Sequence, residues 1–170
     1  RIHHRMKDFV LQEQVCRLDQ LAEECLQLLE REIGVRGIRL ERNYACRPEI
    51  WCDPVHIKEA VNNVLRNAVE AMPQGGELRI GLDAGKRGVR LTIRDSGPGI
   101  PPERISRVIE PFYSTKPDAQ NFGLGLSYVY NVMRKSGGTL ELSSAEGEGT
   151  RVELRFPRRK VLRINRRNER

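Results

Sequence analysis

Three short stretches carry residue types that could do chemistry, and each has a plain structural reading beside the chemical one. In the first, Asn63 and Asn67 stand one helical turn apart, with Glu59 four residues before and Glu70 three residues after. They border an apolar stripe of Ile57, Ala60, Val61, Val64, Ala68 and Met72. Asparagine is a poor helix former, so two of them on one polar column call for an explanation. Side-chain amides facing a polyphosphate and its metal would supply it. A solvated polar face would also do, since Asn62 adjoins Asn63.

The second stretch is Asp95-Ser96-Gly97-Pro98-Gly99-Ile100-Pro101, directly after the alternating run 90–94. A strand end presents a carboxylate well, and Asp95 could accept a hydrogen bond from an exocyclic amine such as that of adenine. Gly97 and Gly99 would let the backbone pass under a flat base. A tight turn with no ligand has the same composition. The third stretch, Gly123-Leu124-Gly125-Leu126, opens a helix, where free N–H groups and the helix dipole suit phosphate; Lys116 precedes it and could add a mobile positive charge. A flexible start to a helix with a solvated lysine nearby is the bland alternative.

The elements that must position these stretches follow from periodicity. Val15, Leu18, Ala22, Cys25, Leu29 and Ile33 predict an amphipathic helix over 12–33, stopped at Gly34. Short strands over 37–44 and 49–52 flank a loop, and Asp53-Pro54 caps and opens a second helix that runs to about Met72. Runs 77–82 and 89–94 predict a hairpin after Pro73-Gln74-Gly75-Gly76. From Asp95 to Gly123 the chain reads as a long loop with one helical piece over 103–108, and such loops are usually lids or sites. A third helix over 124–135 ends at Gly137-Gly138, and 139–143 with 150–156 close the domain as a hairpin. The order implies an α/β fold with a mixed sheet covered by helices on one face. It does not suggest a Rossmann or P-loop unit, since neither glycine motif is present.

At 170 residues and 38% hydrophobic content the chain has material for one core of ordinary size. No apolar run reaches the roughly 20 residues that span a bilayer, and no signal-peptide stretch follows the basic start. A cytoplasmic piece of a longer protein, beginning at Arg1, is therefore expected. Cys16, Cys25, Cys46 and Cys52 lack the close CxxC pairing of a zinc site and read as reduced thiols. The net charge of +7 is concentrated after position 157, with no aromatics interleaved, so 158–170 reads as a solvated basic tail and nucleic-acid binding is not expected.

The three stretches occur in one order, each on the element where its chemistry would need it, and there the chain resembles a known family. Asn63-Val64-Leu65-Arg66-Asn67-Ala68, Asp95-Ser96-Gly97-Pro98-Gly99-Ile100, Glu110-Pro111-Phe112-Tyr113-Ser114-Thr115-Lys116, Gly123-Leu124-Gly125-Leu126 and Gly147-Glu148-Gly149-Thr150 resemble, in order, the N box, first glycine box, F box, second glycine box and last glycine box of sensor histidine kinases. The glycine boxes and N box would also fit the wider superfamily of DNA gyrase, a heat-shock chaperone and mismatch-repair ATPases. The F box looks specific to histidine kinases akin to nitrogen-regulation and sporulation sensors.

The resemblance implies a two-layer Bergerat α/β sandwich binding ATP and Mg²⁺, with 109–122 as an ATP lid. It implies that Asn67 holds Mg²⁺, that Asn63 supports the phosphates or the metal shell, and that Asp95 binds the adenine amine. Gly97, Gly99 and Ile100 shape the base pocket, while Gly123, Leu124, Gly125, Leu126 and Thr150 complete the nucleotide-binding set. Lys116 joins Asn63 and Asn67 in the transfer step, and Phe112 reads as a lid anchor. Hydrolytic relatives carry a glutamate at the position of Asn63, and an amide cannot take a proton from water, so transfer to a protein acceptor is implied instead. The acceptor histidine would lie on an upstream dimerisation hairpin, of which 1–11 would be the end or the following linker; 12–157 would be the catalytic domain. His3 and His4 only faintly echo an acceptor motif. The implied partners are that hairpin and a response regulator, with a monomeric fragment and a homodimeric parent. A binding module without phosphotransfer and an anti-sigma-type serine kinase are the competing readings; a gyrase-type hydrolase is disfavoured by Asn63.

Overall fold

The computed structural model describes residues 9–105 and 126–166. Along the chain these form β1 (Gln14–Arg17), α1 (Leu18–Val35), β2 (Ile38–Tyr44), β3 (Glu49–Cys52), α2 (Pro54–Glu70), β4 (Gly76–Gly85), β5 (Gly88–Asp95) and the short α3 (Pro102–Ile105). After residues 106–125 come α4 (Leu126–Lys135), β6 (Thr139–Ala145), β7 (Gly149–Pro157), a 3₁₀ turn (Arg158–Lys160) and β8 (Val161–Arg163).

One sheet of five strands, in the order β2-β4-β5-β7-β6, supports the helices. β2 runs parallel to β4 and every other pairing is antiparallel, so the sheet is mixed. Alternation dictates its two faces: Leu78, Ile80 and Leu82 of β4 and Val89, Leu91 and Ile93 of β5 are buried on one side. The residues between them, Arg79, Asp83, Arg90 and Arg94, carry charge on the other. α1, α2 and α4 cover only the apolar side, through stripes such as Leu21–Cys25–Leu29, Ile57–Val61–Leu65 and Val129–Val132–Met133. The expected two-layer architecture is therefore present. Asp53 caps α2 as expected, its carboxylate accepting the His56 N–H at 3.1 Å with Pro54 in the first turn. Among the described residues no helix is long and apolar enough to cross a membrane.

A second, three-stranded sheet, β1-β3-β8, departs from the sequence reading in three places. The helix expected over 12–33 begins only at Leu18; before it the chain is extended and pairs with β3, Val15 opposite Trp51. Val15, counted there in the helical stripe, is 51% exposed. The strands over 37–44 and 49–52 do not share a sheet, because β2 finds β4 while β3 finds β1 and β8. The solvated basic tail is in fact docked as far as Arg166: β8 pairs with β3, Lys160 pairs with Glu13, and Arg166 bridges to Cys46. Val161 and Ile164 explain this, since both pack against the core from between the arginines and lysine that dominate the composition.

Candidate nucleotide site

Asp95 is the last residue of β5 and follows Leu91 and Ile93 at period two, so its carboxylate points to the same helix-covered face as theirs. It is 7% exposed. Its Oδ1 accepts the Gly97 N–H at 2.8 Å, and the backbone N–H of Thr150, opposite on β7, also donates to it. An ionised carboxylate offers about four acceptor positions, so two donors leave it free to accept more. Burial pushes the Asp95 carboxyl above the usual range, and the two N–H groups only partly offset that.

That balance gives an expectation for pH. Only the ionised form accepts from an amine on every oxygen lone pair, so affinity for an adenine nucleotide should be full above the Asp95 pKa and fall up to about tenfold per pH unit below it. The fall should begin at a higher pH than an ordinary aspartate would cause. Calorimetric titrations between pH 4.5 and 8 check this, and Asp95→Asn should flatten the profile.

The turn after Asp95 is held in place from two sides. On one, the end of α2 abuts it: a β-carbon on Gly97 would lie 2.9 Å from the Ala71 carbonyl oxygen, and the Ser96 hydroxyl meets the Met72 sulfur at 3.5 Å. On the other, the β6–β7 turn packs beneath it, with the Gly147 N–H donating to the Pro98 carbonyl at 2.7 Å. A β-carbon on Gly99 would collide with the Ala145 carbonyl, so backbone passes backbone here. Ser144 ties these parts together. Its hydroxyl accepts the Ile100 N–H at 2.7 Å, donates to the Gly149 carbonyl at 2.9 Å and meets the Thr150 hydroxyl at 2.9 Å. The sequence reading missed Ser144, whose place opposite Thr150 is set by the β6–β7 register.

Asn63 and Asn67 are half-buried on α2, and Asn67 lies one turn before Ala71, beside the Asp95 turn. The Asn67 amide nitrogen is buried with no hydrogen-bond partner in the structure. Buried polar atoms are almost always paired, so an unpaired N–H donor at this place fits a ligand phosphate oxygen, and leaves the amide oxygen of the same side chain as the atom that would face a metal. Glu59, one turn before Asn63, accepts from the Tyr128 hydroxyl at 3.1 Å and so links α2 to α4. Ile100 and Leu126 are both buried, Leu126 at 1% exposure as the first described residue of α4, where it serves the core. Lys116, Gly123, Leu124 and Gly125, with the F box and the expected lid, lie outside the described residues. The structure therefore brings Asp95, Gly97, Gly99, Ile100, Thr150 and the end of the asparagine helix to one locus.

Comparison with known proteins places this arrangement. The family described as histidine kinase-, DNA gyrase B-, and HSP90-like ATPase matches residues 52–160. Sensor histidine kinase ZraS of Escherichia coli O157:H7 is 33% identical over 141 residues, covering 82% of this chain and 30% of the relative. The chain spans about a third or less of the length of the curated relatives it matches. Among solved structures, the nucleotide-free catalytic domain of histidine kinase ThkA superposes with a TM-score of 0.76 at 27% identity, covering 86% of this chain and 96% of that one. ThkA in complex with the response regulator protein TrrA gives a TM-score of 0.77 at 25% identity, covering 92% of this chain and 45% of that one.

Proposed function

The chain belongs to the histidine kinase-, DNA gyrase B-, and HSP90-like ATPase family, as a histidine kinase ATP-binding domain, and on that premise we propose that it binds Mg²⁺-ATP and donates the γ-phosphate to a histidine on a dimerisation hairpin outside this chain. The observation that carries the reading is the buried Asp95 carboxylate, with acceptor capacity to spare, set beside the unpaired Asn67 amide. Asp95 accepts from the adenine amine, which selects adenine over guanine, whose carbonyl oxygen at that edge would face a carboxylate. Gly97 and Gly99 keep side chains out from under the base. Asn67 offers its amide oxygen to Mg²⁺, with Asn63 one turn away steadying the phosphates. Mg²⁺ supplies charge neutralisation on the phosphates being transferred. Lys116, ten residues before α4 in the sequence, adds a second positive charge to the terminal phosphates.

Asn63 sets the outcome of the reaction. Its amide has no basic lone pair to take a proton from water, so the site holds ATP for a protein nucleophile rather than spending it on hydrolysis. The acceptor histidine, the homodimer built by its hairpin, a response regulator that receives the phosphate and a cytoplasmic site of action complete the two-component reading. That ThkA forms a complex with a response regulator supports the last partner.

The test supplies a histidine-bearing helical hairpin of a sensor kinase in trans, with γ-labelled ATP and Mg²⁺. Acid-labile, alkali-stable phosphate on the hairpin is expected. Acid-stable phosphoserine on a partner would turn the reading to a serine kinase. Nucleotide binding with no transfer to several hairpins would leave a docking module, and steady phosphate release by the chain alone would make it a hydrolase.

A further inference from the structure

The segment that leads into the domain is fastened to both α2, which carries the two asparagines, and α4. The Phe9 ring stacks on the His56 imidazole, centroids 4.6 Å apart and planes at 16°, and is tilted against Tyr128 at 6.1 Å. The Lys135 ammonium lies 4.9 Å from the centroid of the same ring and donates to the Phe9 carbonyl at 3.1 Å. Three residues on, the Gln12 N–H donates at 2.7 Å to Asp53 Oδ2, the oxygen that also meets His56 Nδ1 at 2.7 Å. His56 sits in the first turn of α2, whereas Tyr128 and Lys135 sit near the two ends of α4. The Tyr128–Glu59 hydrogen bond joins the two helices directly, one turn before Asn63.

We infer that Phe9 and the Gln12 amide form a clasp that sets α2 against α4, and that Phe9, His56 and Lys135 are positioning residues for the nucleotide. The inference rests on the nucleotide-binding reading above and adds a means of regulating that site. α2 carries Asn63 and Asn67, so a shift of α2 against α4 moves both amides relative to Asp95 and the glycine turn that follows it. A pull on the chain before Phe9 would strip an aromatic ring and a backbone hydrogen bond from both helices at once. Movement upstream is thereby converted into loss of nucleotide affinity.

Coupling of this kind is reciprocal: whatever factor the clasp contributes to nucleotide affinity, nucleotide must contribute to the clasp. The experiment titrates Mg²⁺-ATP into the chain and into Phe9→Ala, His56→Ala, Lys135→Ala and, as a control, the neighbouring Val10→Ala, whose side is 79% exposed. Hydrogen exchange of the Gln12 amide is followed with and without ATP. Each clasp variant should bind about fivefold more weakly, at the low end for coupled sites, and Val10→Ala should match the parent. ATP should slow Gln12 exchange by a similar factor in the parent and leave it unchanged in His56→Ala. A purely structural role would lower the melting temperature of folded variants yet leave their affinity and the ATP response of Gln12 alone, and that result overturns the inference. Absence of nucleotide binding by the parent chain would overturn the functional reading and this inference with it; binding by the parent with undiminished binding by all three variants overturns the inference alone.

Discussion

Asp95→Ala should weaken ATP and ADP binding about a hundredfold while leaving a folded protein. A hydrogen bond to a charged group is worth about 1.5–3 kcal/mol, or roughly 10- to 150-fold in affinity, and here the acceptor is buried. Asp95 is 7% exposed, so water cannot replace the lost acceptor at full strength. The same carboxylate also takes the N–H groups of Gly97 and Thr150, which would be left unpaired and would let the glycine turn drift. Part of the loss is therefore pre-organisation rather than the adenine contact itself. Stability should fall by only about 1 kcal/mol, because removing a desolvated carboxylate offsets the two orphaned donors. Calorimetric titration gives the affinity and circular dichroism shows that the fold survives. Asp95→Asn, which keeps one acceptor oxygen, should fall between the alanine variant and the parent.

Gly149→Ala should be the most damaging small substitution around the site, costing about 3–5 kcal/mol and lowering the melting temperature by about 10 °C. Gly149 has φ of +88°, which an L side chain resists, and its added β-carbon would run into the Asp95 carbonyl. The only relief is to part β5 from β7 at the end where Asp95 stands, so nucleotide affinity should fall along with stability. Gly147→Ala isolates the first of these effects. It shares a φ of +79° but has nothing within 4 Å of the new methyl group, and it should cost only about 1 kcal/mol. Equal melting temperatures for the two variants would mean that the close approach of β7 to Asp95 is not as tight as described.

The parts of this fold that were legible in the sequence are those whose signals are local. Asp53-Pro54 announced α2 because a cap and a fixed proline φ act within one turn, and the β4–β5 hairpin announced itself by alternation on both sides of a glycine turn. Asp95 stood out for the same reason, as a carboxylate at a strand end followed by two glycines. β1 was hidden because its partner β3 lies more than thirty residues away, so Val15 and Leu18 looked like one helical stripe when they belong to different elements. β8 was hidden by composition: the positive charge of 158–170 drew attention from Val161 and Ile164, which do the packing. Ser144 and the Phe9 clasp were out of reach, because a hydroxyl on a strand and an aromatic before a strand acquire meaning only when the register and the helix arrangement bring Ile100, Thr150, His56 and Lys135 to them.

The most direct test of the central claim is a titration of the chain with ATP, ADP and GTP, each with and without Mg²⁺. Saturable binding of ATP and ADP, with GTP at least tenfold weaker and ATP strengthened by Mg²⁺, is the expected result. Equal binding of ATP and GTP, or no binding of any of them, would contradict an adenine site built on Asp95 and Asn67.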